Sequence, residues 1–170
     1  ENMKTGALNV ISRLTPEDKV IIFYSENANR LTFYLHRRLM ECPLLRDAKG
    51  RYTMDLAAVE QALKDGAKLM LLCNPHNPVG RVWSREELTA LWQLLSRYGC
   101  ALVSDEIHMD FTLGTIPFTS VLSVAEGESD RVAALTSASK TFNLAGLQQA
   151  ALLCRNSGML AAMKKQMSAA

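Results

Sequence analysis

The sequence has no long apolar run and no block of basic residues, and these absences exclude two classes of protein. Its apolar runs are all far shorter than the roughly 20 residues that a membrane-spanning helix requires. The 19 basic and 17 acidic residues are spread along the chain, so no basic tract could follow a phosphate backbone. We therefore expect neither a membrane protein nor a nucleic-acid partner.

Cysteines are few, and a secretion signal is missing. The N-terminus lacks the basic-then-apolar pattern of a signal peptide. The four cysteines are widely spaced and three of them flank apolar runs: Cys42, Cys73, Cys100 and Cys154. This pattern favours buried reduced thiols over disulfides or metal ligands. It predicts a cytoplasmic protein without a metal site.

Apolar residues, in contrast, are plentiful enough for the core of one domain. Hydrophobic residues make up 48% of the chain and charged residues 21%, an ordinary composition for a globular unit. The chain opens on Glu1, and its last stretch, "GMLAAMKKQMSAA", stops inside a helix-like pattern rather than at a cap. We interpret the sequence as part of a longer protein.

Short apolar runs alternate with segments of helical period. The runs are partly β-branched and apolar on both faces, which is typical of strands in a covered parallel sheet. The predicted strands are residues 19–24, 69–73, 101–105, 132–136 and 150–154. Their alternation with helices predicts an α/β fold, with a mostly parallel sheet and helices on both faces.

Two helices are predicted between these strands, and a third near the N-terminus. The clearest begins at Ser84, where Ser84-x-x-Glu87 forms a capping box, and it ends before Gly99. The second is predicted over residues 54–64, and a shorter one precedes the turn at residues 15–18. Strands and helices therefore alternate over most of the chain.

Polar segments follow three of the predicted strands at the point where each strand ends. "NPHNPVG" follows Cys73, "DEIHMD" follows Ser104 and "SASK" follows Thr136. Ligands of parallel α/β sheets bind beyond the carboxyl ends of the strands, so these segments are expected to share one site. An asparagine, an aspartate and a lysine would then lie at the same edge of the sheet.

Each of these residues also has an ordinary structural explanation. The stretch "NPVG" at residues 77–80 predicts a type I turn, which fixes the Asn77 amide as a donor but equally suits a plain connection. Asp105 ends an apolar run, and a buried carboxylate needs a partner such as a cation or a protonated ring nitrogen; a salt bridge or a cap for the following segment would equally explain it. Lys140 stands among hydroxylated residues where a helix begins, a setting that suits a nucleophilic amine and a phosphate, but a lone lysine after a strand is usually a solvated surface residue. Only the three motifs together favour a functional site.

The motifs resemble those of fold-type I pyridoxal-phosphate enzymes of the class I/II aminotransferase superfamily. Within it, "LLCNPHNPVGRVW", "VSDEIHMD" and "SASKTFNLAGLQ" are similar to the cystathionine β-lyase-like branch, the MalY/PatB group of carbon–sulfur lyases. The similarity is dense from Lys68 to Leu153. It implies that residues 1–170 are part of a pyridoxal-phosphate-binding large domain, and that a C-terminal small domain is absent from this sequence.

The resemblance implies a role for each candidate residue. Lys140 would hold pyridoxal 5′-phosphate covalently and serve as the catalytic base, and Asp105 would pair with the pyridine nitrogen. Asn77 would donate to the phenolic oxygen of the cofactor ring. His108 stands near that oxygen, where many aminotransferases carry a tyrosine and the lyase-like branch commonly has histidine.

The resemblance also bears on the phosphate and on the face of the ring. Ser137 and Ser139 would contribute to the phosphate site, and Gln148 occupies the position where aminotransferases often have a phosphate-binding arginine. The family stacks an aromatic side chain on the ring, and Tyr24 and Phe33 lie in that region without a clear match in register.

Two reactions and one non-catalytic role remain open. The resemblance implies a homodimeric lyase that eliminates a thiol from cystathionine or another cysteine S-conjugate, an amino-acid substrate, and yields pyruvate and ammonia. An aminotransferase is the alternative, because the same residues serve both reactions. A third possibility is a diverged relative that acts as a scaffold or regulatory module.

Overall fold

A six-stranded sheet lies at the centre of the computed structural model, which describes residues 19–23, 38–125 and 130–167. Neighbouring strands pair in the order β2-β1-β5-β6-β7-β8. All of these pairs are parallel except β7 with β8, which is antiparallel. The strands are β1 (Lys19–Phe23), β2 (Arg38–Cys42), β5 (Ala67–Cys73), β6 (Ala101–Asp105), β7 (Val132–Thr136) and β8 (Ala151–Leu153). The predicted α/β fold with a mostly parallel sheet is confirmed.

The other described elements are a hairpin, four helices and two short 3₁₀ turns. The hairpin consists of β3 (Leu44–Arg46) and β4 (Tyr52–Met54). The helices are α1 (Leu56–Lys64), α2 (Arg85–Arg97), α3 (Ala138–Thr141) and α4 (Ser157–Met167), and the 3₁₀ turns are Val121–Ser123 and Ala145–Leu147.

Both faces of the central strands are buried. Successive side chains along a strand point to opposite faces, so alternate residues report on each face. One row contains Val20, Leu69 and Val103, the other Ile21, Met70 and Leu102, and none of the six is more than 2% exposed. Strands covered on both faces explain why the sequence shows continuous apolar runs instead of alternation.

Helices α1 and α2 pack on one face of the sheet, side by side. Val59 of α1 and Leu91 of α2 belong to the same buried cluster as Met70 of β5. The Tyr98 hydroxyl donates to Glu60 Oε1 at 2.9 Å and joins the two helices at their surface. The helices therefore hold β5 and β6 from the same side.

Both helices begin where a side chain caps the free backbone N–H groups. In α2 the Glu87 N–H donates to Ser84 Oγ at 3.2 Å and the Ser84 N–H donates to Glu87 Oε2 at 2.8 Å, the predicted capping box. In α1 the Asp55 carboxylate accepts the Ala58 N–H at 2.9 Å, so the helix begins after Asp55. The predicted start at Met54 is wrong, because Met54 pairs with Leu44 in the hairpin.

Three strands were not predicted from the sequence. The stretch "RLMEC" mixes charged and apolar residues because β2 has one neighbour, β1, in the described sheet, and Glu41 is exposed. The short β3 and β4 offer too few residues for a recognisable period. The strand predicted at residues 150–154 exists as β8 but runs antiparallel to β7. The helix and turn predicted near residues 15–18 lie outside the described residues.

Replacing Ser84 by alanine should destabilise the fold by about 1 kcal/mol, because the Glu87 N–H loses its capping acceptor. Ser96→Ala in the last turn of α2 is the matched control, since the Ser96 side chain makes no hydrogen bond within the described part of the chain. Urea unfolding of both variants measures the difference. Equal loss of stability in the two variants would contradict a capping role for Ser84.

Candidate active site

The ends of β5, β6 and β7 meet at one edge of the sheet. Asp105 is aligned with Cys73 of β5 and with Leu135 of β7. Beyond the strands the backbones stay joined: the Asn74 N–H donates to Asp105 O at 2.9 Å, and the Glu106 N–H donates to Leu135 O at 2.7 Å. The three predicted motifs therefore begin side by side.

Asp105 is partly buried at this edge. Its Oδ1 accepts the Ile107 N–H at 3.1 Å. Burial raises the pKa of the Asp105 carboxyl, while the Ile107 hydrogen bond and the nearby basic groups of His108 and Lys140 act in the opposite direction. Asp105, His108 and Lys140 therefore lie close enough for the two basic groups to lower the pKa of the Asp105 carboxyl.

His108 sits on a tight turn that follows β6. The Met109 N–H donates to Glu106 O at 3.0 Å and the Phe111 N–H donates to His108 O at 2.9 Å. The imidazole meets the Phe111 ring at a centroid distance of 6.2 Å. Its Nδ1 is buried and has no hydrogen-bond partner in the described part of the chain. A buried polar atom without a partner suits a site that receives a polar ligand.

Lys140 lies on α3, which is a single helical turn, and its side chain is exposed. Ser137 caps this turn by accepting the Ser139 N–H at 3.1 Å. The Ser137 hydroxyl also lies 2.6 Å from Gln149 O and 2.8 Å from Ser139 Oγ. Because one hydroxyl donates one proton, Ser137 is already engaged by the protein. Ser139 Oγ has fewer hydrogen-bond partners than Ser137 Oγ among the described residues, and it is the donor in their shared contact when Ser137 donates to Gln149 O.

Asn77 occupies an exposed position in the loop between β5 and α2. The loop closes through the Gly80 N–H donating to His76 O at 2.8 Å, and the His76 N–H donating to Arg81 O at 2.7 Å. The predicted four-residue turn at residues 77–80 is therefore wrong. The hydrogen bonds that close the loop join His76 to Gly80 and Arg81. Gly80 has a φ of +70°, which favours glycine at that position.

The loop that carries Asn77, between β5 and α2, is anchored by the buried side chain of Asn74. The buried Asn74 side chain donates to Thr119 O at 2.9 Å and accepts the Trp83 N–H at 3.2 Å. The first asparagine of the doubled Asn-Pro stretch is thus structural, whereas the Asn77 side-chain amide has no hydrogen bond to another described residue. Both Asn-Pro peptide bonds, Asn74–Pro75 and Asn77–Pro78, are cis.

Arg81 ties the same loop to its surroundings. Its Nε donates to Tyr52 O at 2.6 Å, and its guanidinium forms an ion pair with Glu87. The guanidinium also lies over the Trp83 ring, 4.6 Å from the centroid. The loop that presents Asn77 is therefore connected to the hairpin and to α2.

His76, which the sequence reasoning did not single out, is buried in this loop. It is 3% exposed and both ring nitrogens lack a partner in the described part of the chain. Burial lowers its pKa to about 4, and its ring meets Trp83 edge-on at 5.9 Å. Nothing in the sequence around His76 signals this burial, which depends on contacts with Trp83.

Glu106 and Asp110 were also passed over, although both lie in the quoted motif "DEIHMD". Glu106 is buried and accepts the Val121 N–H at 2.9 Å, and burial raises the pKa of its carboxyl. Asp110 Oδ2 accepts the Thr141 hydroxyl at 2.6 Å and so connects the motif to the lysine turn. These partners are 15 and 31 residues away, and no local sequence signal indicates them.

The four cysteines are free thiols. Burial raises the pKa of Cys42 and of Cys73 to about 11 and that of Cys100 to about 12, so these thiols stay protonated near neutral pH. Among the described residues no cluster of three or more His, Cys, Asp or Glu side chains is arranged to hold a metal ion. Over the same residues, every helix is too short or too polar to cross a membrane.

The family model described as "Aminotransferase class I and II" matches residues 5–170. The chain belongs to that family. Cystathionine beta-lyase PatB of Bacillus subtilis (strain 168) is 42% identical over 118 residues, which is 69% of this chain and 30% of PatB. The chain spans about a third of the length of such curated relatives.

Two solved structures of family members share the fold. A PLP-bound putative aminotransferase from Clostridium difficile 630 matches with a TM-score of 0.88 and 31% identity, covering 98% of this chain and 43% of that one. A PLP-bound C-S lyase from Staphylococcus hominis matches with a TM-score of 0.84 and 30% identity, covering 95% and 42%. The regions predicted for the ring-stacking aromatic, Tyr24 and Phe33, lie outside the described residues.

Replacing His76 by phenylalanine should reduce the acid sensitivity of the fold. The folded chain has a His76 pKa of about 4, below the ordinary value of 6.5, so the unfolded chain binds a proton that the folded chain does not. His76 should therefore make the free energy of unfolding fall as the pH drops through this window, by roughly 3 kcal/mol. Carboxyl groups with raised pKa values make the folded chain more stable as the pH drops, which opposes the effect of His76. The contribution of His76 is therefore measured as the difference in stability between the unaltered chain and the variants.

Denaturant unfolding of the unaltered chain, H76F and H76L at several pH values measures that difference. Two variants are used because phenylalanine and leucine fill the site differently. Both should lose less stability than the unaltered chain between pH 6.5 and 4. Parallel stability profiles for all three proteins would contradict the prediction.

Proposed function

We propose that this chain is part of the pyridoxal-phosphate-binding large domain of a carbon–sulfur β-lyase. Its substrates would be cystathionine and related cysteine S-conjugates, and its products pyruvate, ammonia and a thiol. The observation that carries the proposal is the alignment of β5, β6 and β7, which starts the segments carrying Asn77, Asp105 and Lys140 at one sheet edge. The cystathionine β-lyase and C–S lyase among the relatives support the choice of reaction.

The side chains at this edge have the functional groups that pyridoxal phosphate needs. The cofactor has a ring nitrogen that takes a proton, a polar phenolic oxygen, an aldehyde and a phosphate. Asp105 offers a partly buried carboxylate for the ring nitrogen, and His108 Nδ1 is a buried polar atom without a hydrogen-bond partner among the described residues. Lys140 offers an exposed amine for the aldehyde, and Ser139 offers a hydroxyl for the phosphate.

Asp105 would keep a proton on the ring nitrogen. Burial raises the pKa of an isolated Asp105 carboxyl, and a cationic partner within hydrogen-bond reach would favour the ionised form again. The Asp105 carboxylate has little freedom to rotate, because its Oδ1 already accepts a hydrogen bond from the Ile107 N–H. A fixed negative charge is the right group to stabilise a protonated pyridine.

Lys140 would bind the cofactor covalently and then act on the substrate. Once the substrate amine takes its place, the neutral Lys140 Nζ is free to remove the substrate Cα proton as a general base. Pyridoxal phosphate, when bound, supplies the electron sink for the carbanion that results. Asn77 would donate to the phenolic oxygen, beside His108, and Ser137 and Ser139 would lie at the phosphate.

An aminotransferase is the second candidate, and the same residues would serve it. A lyase would release the β-substituent as a thiolate, whereas an aminotransferase would pass the amino group of the substrate to a keto acid. The putative aminotransferase from Clostridium difficile supports this candidate. The two outcomes differ in which group leaves, not in the residues that hold the cofactor.

We also propose that the protein is a cytoplasmic homodimer. Large apolar side chains are exposed on the lysine side of the fold: Phe142 is 67% exposed and Leu147 60% exposed. Apolar groups at these exposures are typical of surfaces covered by further protein. A second copy of the chain would cover them close to Lys140.

Pyridoxal phosphate should form a visible absorbance band with the chain, and borohydride reduction should leave the cofactor attached to Lys140. Lys140→Ala should abolish both results because the amine is gone. Lys68→Ala is the matched control: Lys68 is exposed near the amino end of β5, at the opposite edge of the sheet. Peptide mass analysis locates the adduct. A folded chain that takes up no cofactor at Lys140 would favour the non-catalytic role.

A substrate panel should separate the lyase from the aminotransferase. With cystathionine or a cysteine S-conjugate, we expect pyruvate and a free thiol in equal amounts, without any added keto acid. Lys140→Ala should lose at least about 100-fold in rate, since the general base is removed. Amino-group exchange that requires a keto acid and releases no thiol would overturn the lyase in favour of the aminotransferase.

A further inference from the structure

The turn that carries Lys140 has little to hold it in place by itself. Helix α3 is four residues long, and its backbone bonds run from the Phe142 N–H to Ala138 O at 3.0 Å and from the Leu144 N–H to Ser139 O at 2.9 Å. One isolated helical turn is unstable in water. Phe142 and Leu144 are exposed, so apolar burial within this chain does not secure the turn either.

The N-terminal side of this turn is anchored to the sheet. Thr136 ends β7 and pairs with Ala151 of β8, and the Ser137 hydroxyl donates to Gln149 O at 2.6 Å. On the C-terminal side, Thr141 Oγ1 donates a hydrogen bond to Asp110 Oδ2 at 2.6 Å. Lys140 lies between these two anchors.

Asp110 in turn belongs to a rigid turn that starts at the proposed cofactor carboxylate. The Ile107 N–H donates to Asp105 Oδ1 and the Met109 N–H donates to Glu106 O. The Thr136 hydroxyl contacts Met109 Sδ at 3.6 Å and fixes the same turn to β7. These bonds connect Asp110 to the backbone turn that carries Asp105 and His108.

We propose that the hydrogen bond between Asp110 and Thr141 positions Lys140 relative to Asp105 and His108. Asp110 and Thr141 are positioning residues in this proposal, and neither needs to touch the cofactor. A hydroxyl that donates to a carboxylate forms a short, strong bond, and the 2.6 Å separation lies in the range for that type. The inference rests on the proposed function, because it concerns the same lysine.

Misplacing a reacting amine weakens each step that depends on its approach. Loss of one hydrogen bond to a charged, exposed partner should weaken cofactor binding by about threefold to tenfold. Thr141→Val removes the hydroxyl while keeping the shape of the side chain. Thr141→Ser keeps the hydroxyl and should restore binding to near the level of the unaltered chain.

The experiment measures two quantities on the unaltered chain, T141V, T141S, D110A and the double variant T141V/D110A. The first is amide hydrogen exchange of residues 138–147 without cofactor, which reports on the turn itself. The second is the dissociation constant for pyridoxal phosphate, with borohydride trapping at Lys140. Thr115→Val is the control, since Thr115 is exposed and its side chain makes no hydrogen bond to another described residue.

We expect T141V and D110A to exchange faster over residues 138–147 and to bind pyridoxal phosphate more weakly, with T141S and T115V close to the unaltered chain. The double variant should be no weaker than the weaker single variant, because both substitutions remove the same bond. Unchanged exchange and affinity in T141V would overturn the inference, and so would additive losses in the double variant.

The two proposals fail in different ways. If the unaltered chain takes no cofactor at Lys140, the proposed function is overturned, and the exchange measurement alone decides whether the bond holds the lysine turn. If the unaltered chain binds the cofactor and T141V binds it equally well, the proposed function stands and the positioning role is overturned.

Discussion

Parallel pairing of β5, β6 and β7 is the constraint on which the proposed site depends. The register aligns Cys73 with Asp105, and Asp105 with Leu135, so the segments that follow the three strands start at the same level. Parallel strands need covered crossover connections, and helix α2 supplies the one between β5 and β6. Burial of the apolar side chains on both sheet faces stabilises this parallel pairing. The pairing in turn brings three motifs that are distant in sequence to one edge of the sheet.

Burial shifts the pKa values of the carboxyl groups at this edge of the sheet. Asp105 and Glu106 are adjacent carboxyls whose pKa values are both raised by burial, and each accepts a backbone N–H, from Ile107 and from Val121 respectively. They differ in their charged neighbours, because the basic groups of His108 and Lys140 lower the pKa of Asp105, whereas the Asp105 carboxyl raises that of Glu106. A carboxyl beside basic groups at the end of a strand suits a cationic group of a ligand.

The lysine turn depends on contacts outside itself. Four helical residues with exposed neighbours cannot form a stable element alone, and Ser137 and Thr141 connect the turn to Gln149 and Asp110. The Asn77 loop shows the same arrangement, since Asn74 and Arg81 carry its anchoring bonds. In both cases the residue proposed for chemistry is exposed, and its neighbours in sequence hold the backbone.

The sequence by itself determined the strands with continuous apolar runs, the capping box of α2 and the three motifs that follow strand ends, because each is a local pattern of side chains. It did not indicate the strand β2, the wider closure of the Asn77 loop or the burial of His76. Nor did it separate the engaged Ser137 from Ser139, or pair Asp110 with Thr141. Only the tertiary structure decided these features, since each arises between residues whose proximity depends on how the strands pair and on what the helices cover.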